Sequence, residues 1–206
     1  MSALTDLNKE IALCRQCEIV RTRTKSVPGE GAENAEIMFI GEAPGWHEDQ
    51  QGRPFVGPAG QFLDELLASI NFKRSQVYIA NVIKCRPPGN RDPLPTEISN
   101  CQHWLDRQIE LVSPKIIVTL GRYSMAKFFP GKSISKIHGT VQTQNGITYF
   151  AMYHPAAALH QGNLRQTILQ DMLKLPPLLV QAKSINTKDA EAEPKSEPKS
   201  QQLTMF

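Results

Sequence analysis

Four cysteines, Cys14, Cys17, Cys85 and Cys101, are the residues of this 206-residue chain whose type and spacing point most directly to chemistry. Cys14 and Cys17 form a C-x-x-C pair, Cys85 sits in KCRPPGNRDP, and Cys101 lies in a helical stretch. Four thiolates can enclose one metal centre. Structural zinc on four cysteines usually shows two short-spaced pairs, and only one is present here; an iron-sulfur cluster accepts scattered ligands more readily. The alternative to both is two reactive and two buried thiols. Redox catalysis by Cys14-Arg15-Gln16-Cys17 fits less well, because a thioredoxin-like pair follows a strand and opens a long helix.

A second set of residues stands just after apolar runs. Gly41-Glu42-Ala43-Pro44-Gly45 follows the run ending at Ile40, and Gly52-Arg53-Pro54-Phe55-Val56-Gly57-Pro58-Ala59-Gly60 precedes a helical pattern. Asn81 ends a second run, and His154-Pro155 follows a fourth. A carboxylate, an aromatic ring, an amide and an imidazole on one rim suit a base turned out of a nucleic acid: a ring to stack on, an amide to read an edge, and a polar pair to stabilise charge. Each residue alone has an ordinary explanation: GEAPG as a strand-to-helix turn, Phe55 as a core aromatic, Asn81 as a turn cap, and His154 as a structural histidine. The Pro- and Gly-rich segment 57–60 opens a helix whose N-terminal amides can hold a phosphate.

The elements that must position these residues follow from periodicity. Apolar runs at Glu36–Ile40, Val77–Ala80, Ile116–Leu120 and Ile147–Met152 predict four buried strands. Between them lie helical patterns at Gln61–Ile70, Thr96–Val112 and Tyr123–Phe129, with a short helix at 3–13 and a closing helix at Asn163–Leu175. Alternating strands and helices imply a largely parallel sheet, and ligands of such sheets bind beyond the carboxyl ends of the strands.

With 40% hydrophobic residues the chain can bury one substantial core, so a single domain over 1–181 is expected. Twenty-three Lys and Arg against 20 Asp and Glu leave a net charge of +3, which permits a polyanionic partner without requiring one. No run approaches the roughly 18 apolar residues of a membrane span, and MSALTDLNKEIAL does not read as a secretory signal, so a cytoplasmic protein is expected. In that reducing compartment cysteines serve metals or redox chemistry more often than disulfides. Residues 182–201 turn to Lys, Glu, Ser and Pro and read as a disordered polar linker.

In their order along the chain, GEAPG at 41–45, GRPFVGPAG at 52–60, NVIKCRPPGNRDP at 81–93 and HPAA at 154–157 resemble the family-four uracil-DNA glycosylases, as does the layout of the cysteines. The resemblance covers roughly residues 4–176 and implies a three-layer αβα sandwich around a central four-stranded parallel sheet. It implies a 4Fe-4S cluster on Cys14, Cys17, Cys85 and Cys101. The activity implied is that of a monofunctional DNA-repair hydrolase, a monomer, which flips uracil from single- or double-stranded DNA and cleaves its N-glycosidic bond to leave an abasic site. Gly41, Glu42, Phe55, Asn81 and His154 would hold the base. Phe55 would stack on it, Asn81 would bond its N3–H and O4 edge, His154 would face O2, and Glu42 would position or activate water. Gly57, Pro58, Ala59, Gly60 and Arg165 are expected at DNA phosphates, with Leu159 as the wedge.

Three features depart from the family pattern. In the best-known glycosylase family an Asp stands two residues after the first Gly of the loop, where this chain has Ala43. After HPAA the family often has Leu-Leu-Arg, and this chain has Ala158-Leu159-His160. Lys136-Ile137-His138-Gly139 is similar to a loop of a subclass whose histidine becomes covalently bonded to uracil-bearing DNA, so a covalent trap using His138 is an alternative; the Arg-rich insertion of that loop is missing here, and Ala43 replaces a characteristic Gln. A non-catalytic iron-sulfur DNA-binding module is a third reading, opposed by the retention of Glu42, Phe55, Asn81 and His154. The last five residues, Gln202-Leu203-Thr204-Met205-Phe206, resemble the bacterial sliding-clamp pentapeptide, with Gln202, Leu203, Met205 and Phe206 as the contacting side chains.

Overall fold

A computed structural model describes residues 2–191, with side chains described through Ser184. The elements run α1 (Ala3–Leu13), β1 (Glu30–Gly31), β2 (Ile37–Gly41), α2 (Trp46–Gln51), α3 (Pro58–Ser69), β3 (Tyr78–Asn81), α4 (Pro95–Val112), β4 (Ile116–Leu120), α5 (Arg122–Phe128), α6 (Ile134–Ile137), β5 (Val141–Gln144), β6 (Ile147–Met152), α7 (Pro155–His160), α8 (Asn163–Met172) and α9 (Leu175–Glu191). They build one sheet in the order β1-β3-β2-β4-β6-β5. The four central strands pair in parallel, as the alternation of runs and helices requires. The outer two, β1 and β5, pair antiparallel and were not anticipated.

The β2 sequence IMFIG has no polar alternation because helices cover both faces. Ile37 and Phe39 point into a cluster with Leu63 and Leu66 of α3, Ile168 and Met172 of α8, and Leu175 and Leu179 of α9. Met38 and Ile40 point the other way, onto Leu7 and Ile11 of α1 and Trp104 and Leu105 of α4. The same split recurs in β4, where Ile116 and Val118 join the first cluster and Ile117 the second. This is the three-layer αβα arrangement. Truncating a fully buried ring such as Phe39 to Ala would cost about 3–5 kcal/mol by cavity formation.

On α1, Leu4, Leu7 and Ile11 share the buried face, and the Ser2 Oγ accepts the Thr5 N–H at 3.2 Å to cap the helix. The end of the described chain differs from the single closing helix that was expected. The stretch splits into α8 and α9, and α9 carries Pro176 and Pro177 in its first turn, where a missing N–H costs no helical bond. It buries Leu175, Leu179 and Ala182 and continues to Glu191, into the segment whose composition marks a polar linker. Residues 202–206 lie outside the described residues.

The parallel register gathers the strand ends on one rim. Gly41 sits opposite Asn81, and Leu120 opposite Met152. The chain passes from β2 to β3 on one side and then crosses back to β4 on the other side of β2, which is the topological switch point where doubly wound sheets hold ligands.

Candidate active site

A cavity of about 380 Å³ opens at that rim. Glu42, Ala43, Pro44 and Gly45 from the loop after β2, Phe55 from the loop into α3, Ala59 from the first turn of α3, Asn81 from β3, and His154 and Ala156 at the start of α7 line it. The register explains the closeness: a Cβ on Gly41 would lie 2.4 Å from Asn81 Oδ1 and 2.7 Å from Phe55 Cζ, so only glycine fits between the amide and the ring.

Phe55 is buried and has φ of +52°, a left-handed conformation that costs a bulky residue about 1–2 kcal/mol. The conformation is imposed from both sides. A Cβ on Gly60 would meet the Phe55 carbonyl oxygen at 1.8 Å, so α3 closes on the loop only because it carries glycine there. Arg74 donates to the Phe55 carbonyl at 3.1 Å and to the Pro54 carbonyl, and is itself paired with Glu30 and Asp64. The result is a ring packed beside His154, centroids 5.5 Å apart and planes at 28°.

Asn81 is 1% exposed, and its Oδ1 has no hydrogen-bond partner within the protein. A buried acceptor left unpaired costs about 1–3 kcal/mol, which points to a ligand donor that completes it. His154 accepts the Ala156 N–H through Nδ1 at 3.1 Å, and burial lowers its pKa to about 4 against an opposing pull from Glu48. The ring is therefore neutral at pH 7 and carries its proton on Nε2. Glu42 moves the other way. Burial first, then the charge of Asp92, raise its pKa to about 7, while Arg122 lowers it. Arg122 is also bonded to Asp92, whose own carboxyl it holds below the usual range.

Sequence reading missed three contributors. Glu48, at the N3 position of α2, takes the Val56 and Gly57 amides on Oε1 at 2.9 Å each and the Gly45 amide on Oε2 at 3.1 Å. One carboxylate thus joins GEAPG to GRPFVGPAG, and its only sequence signal was a Glu three residues after a helix-starting glycine. Arg74 is the second. The wall formed by Pro87, Asn90 and Arg91 is the third, with Arg91 forked onto buried Glu97 at 2.6 and 2.9 Å.

Of the expected phosphate and wedge residues, Ala59 lines the cavity, whereas Gly57, Pro58, Gly60, Leu159 and Arg165 do not. The Gly57 amide is taken by Glu48. Arg165 is paired with Glu65 and lies over the Phe62 ring at 4.3 Å, on the α3–α8 surface. Leu159 is 48% exposed on α7. His138 is also absent from the lining. Its Nδ1 lies 2.7 Å from Oδ2 of buried Asp171, and its ring packs against Tyr153.

On the other helical layer a second pocket is lined by all four cysteines together with Ile11, Val20, Arg23, Lys84 and Trp104. Arg23 donates to Cys85 Sγ at 2.9 Å and to the carbonyls of Ala12 and Cys14 at 3.0 Å each. Burial pushes the Cys101 thiol up to about 11 and raises that of Cys85. Among the described residues, no three His, Cys, Asp or Glu side chains come together closely enough to hold a single metal ion. No helix among them is long and apolar enough to cross a membrane.

The family model for the uracil DNA glycosylase superfamily matches residues 28–174. The chain is 46% identical over 193 residues to a type-4 uracil-DNA glycosylase of Sulfurisphaera tokodaii, covering 89% of this chain and 88% of that one. It is 45% identical to the type-4 enzyme of Archaeoglobus fulgidus (86% and 94% covered) and 41% identical to that of Thermotoga maritima (82% and 90% covered). The chain belongs to the uracil-DNA glycosylase superfamily, hydrolases of N-glycosyl bonds, and within it to the type-4 enzymes. Its function is uracil-DNA glycosylase activity in DNA repair.

Proposed function

We propose that a uracil flipped from DNA enters the rim cavity and is read there by Asn81, with His154, Phe55 and Glu42 completing the site. The unpaired, buried Oδ1 of Asn81 carries this reading: uracil N3–H is the donor it lacks, and the amide Nδ2 would donate to O4. Cytosine reverses both positions and leaves buried partners unpaired, the strongest form of discrimination available to such a site. Phe55 stacks on the base.

Cleavage breaks the C1′–N1 bond, with the electron pair leaving on the uracil ring. Negative charge then grows at O2, where the Nε2–H of neutral His154 would donate. A neutral donor suits this role, since it strengthens its bond as charge develops without giving up its proton. Water adds to the oxocarbenium-like C1′ and loses a proton; Glu42, whose carboxyl is raised to about 7 by burial, would in its ionised form orient that water and receive the proton. With Ala43 in place of an Asp, Glu42 is the only carboxylate besides the occupied Glu48 among the lining residues.

The four-thiol pocket fits a 4Fe-4S cluster on Cys14, Cys17, Cys85 and Cys101: four sulfurs and a basic partner on Cys85 surround one space. When bound, the cluster would fasten α1, the segment after β3 and α4 to one another, a structural rather than a chemical contribution. Leu159 remains the candidate wedge, since an exposed leucine at the end of α7 is free to enter a base stack. For Gln202, Leu203, Met205 and Phe206 the sequence supports docking to a bacterial sliding clamp, which would raise the local concentration of a monomeric, cytoplasmic enzyme at DNA. The absence of His138 from the cavity lining, and its engagement by Asp171, favour turnover over covalent trapping.

A gel assay on a uracil-containing oligonucleotide tests the reading. Scission after alkali is the expected result. A slow-migrating adduct would mean a covalent trap, and a reversible shift alone would mean a binding module.

A further inference from the structure

Lys84 is a fully buried cationic side chain that the proposed chemistry leaves unused. It is 1% exposed, on the segment between β3 and Cys85. Its Nζ donates to the backbone carbonyl of Asn81 at 2.7 Å and to Gln108 Oε1 at 2.6 Å. Gln108 is fully buried and is held in turn by donating to the Pro28 carbonyl at 2.8 Å and the Tyr78 hydroxyl at 3.2 Å. Both acceptors of the ammonium are neutral oxygens. A buried cation without a carboxylate in contact is expensive unless negative charge lies close by. The four-cysteine centre would supply that charge when it holds its cluster: Lys84 lines the four-thiol pocket, its backbone N–H donates to Cys101 Sγ at 3.3 Å, and Cys85 is its neighbour in sequence. Asp106, the remaining acid acting on it, is engaged by Lys127 at 2.7 Å.

Lys84 therefore sits between the base cavity and the four-cysteine pocket, on the short segment that runs from Asn81 to Cys85. Its backbone N–H meets the Cys101 sulfur, and its ammonium holds the main chain of the residue whose amide lines the base cavity. We propose that Lys84 is a positioning residue for uracil recognition, an ammonium balanced by the negative charge of the four-cysteine centre and fixing, through the Asn81 carbonyl, the amide that reads the base. The proposal rests on the reading of Asn81 and of the cysteines given above. It lets the charge of a cluster-bearing cysteine centre act on the base pocket through the Lys84 ammonium as well as through the short connecting chain.

The test uses the full-length iron-containing protein and the variants Lys84→Met, Asn81→Ala and their combination, measured by kcat/KM for uracil excision and by the midpoint potential of the iron centre. Met keeps the apolar stem and removes the charge. Lys84→Met should lower kcat/KM about tenfold, and the double variant should be no slower than Asn81→Ala, because both act through one amide. Its midpoint potential should fall, since losing a nearby cation makes electron uptake harder. Losses that multiply in the double variant, or an unchanged potential, would overturn the proposal. If Asn81→Ala alone leaves excision unchanged, the reading of Asn81 falls first and takes the Lys84 link with it. Should Lys84→Met not yield folded protein, Gln108→Leu keeps Lys84 and every cysteine but removes one acceptor. A loss of about threefold that vanishes in the Asn81→Ala background is then expected, and a loss that persists there overturns the link.

Discussion

The backbone N–H of Ala156 donates to Nδ1 of His154 at 3.1 Å, and this one bond fixes which nitrogen of the ring carries the proton. With a pKa of about 4, the imidazole stays neutral across the working range. His154→Ala should therefore slow glycosidic cleavage by about 10²–10³-fold while changing affinity for abasic DNA far less, because the donor matters only as charge grows on O2. Single-turnover rates beside equilibrium binding decide it; equal losses in both would reduce His154 to a structural role.

With Glu42 in the proposed role, its carboxyl would set the pH dependence. Its carboxyl is raised to about 7, so the single-turnover rate should climb with pH through about 7 and then level. Glu42→Gln should lower the rate by about 10²–10⁴-fold and remove the climb. Stability changes in the opposite sense. A raised carboxyl pKa means the folded state holds its proton more tightly, so stability is lost as pH rises from the unfolded value near 4.5 to about 7. Glu42→Gln should accordingly melt higher than the parent at pH 8, and that advantage should disappear near pH 4. A pH-independent difference in melting temperature would contradict the assignment.

Glu48 holds three loop amides with one carboxylate. Its replacement by Ala leaves those donors unpaired and should destabilise the fold by about 2–4 kcal/mol, and it should also loosen the loop that holds Phe55 in its left-handed conformation. Denaturant titration gives the first effect. Uracil excision by Glu48→Gln, which keeps an acceptor, should lie between parent and Ala; equal activity in Gln and Ala would remove the carboxylate from the positioning role.

Iron is the check on the cysteines. Purified protein should be brown and hold close to four iron atoms per chain, and Cys101→Ala should lose iron and thermal stability together. Colourless, zinc-loaded, active protein would refute the cluster.

The sheet was legible because its four central strands are buried over most of their length and so appear as largely apolar runs. The edge strands were not: Glu30–Gly31 is too short to show a period, and Val141–Gln144 is exposed throughout. The start of α9 was hidden by Pro176-Pro177, which reads as a break although the first helical turn accepts proline. At the site, Asn81 and His154 were visible because strand ends announce a ligand rim, and Phe55 because it is the single aromatic in a Pro- and Gly-rich segment that opens a helix. Glu48, Arg74 and Lys84 were hidden for a shared reason. Their roles lie in partners distant in sequence or in main-chain atoms, and a charged residue in a turn gives no sign of what it holds. Arg165 shows the converse, a basic residue expected at phosphate that is engaged with Glu65 and Phe62 instead.

The central claim is that the Asn81 side-chain amide reads the base, and the most direct measurement is the ratio of uracil to cytosine excision by Asn81→Asp. Exchanging the amide donor for a carboxylate oxygen removes the partner of uracil O4 and offers one to the exocyclic amine of cytosine. The account predicts a fall in that ratio of about 10-fold or more, with cytosine release becoming detectable. An unchanged ratio in a folded, iron-containing variant would contradict it.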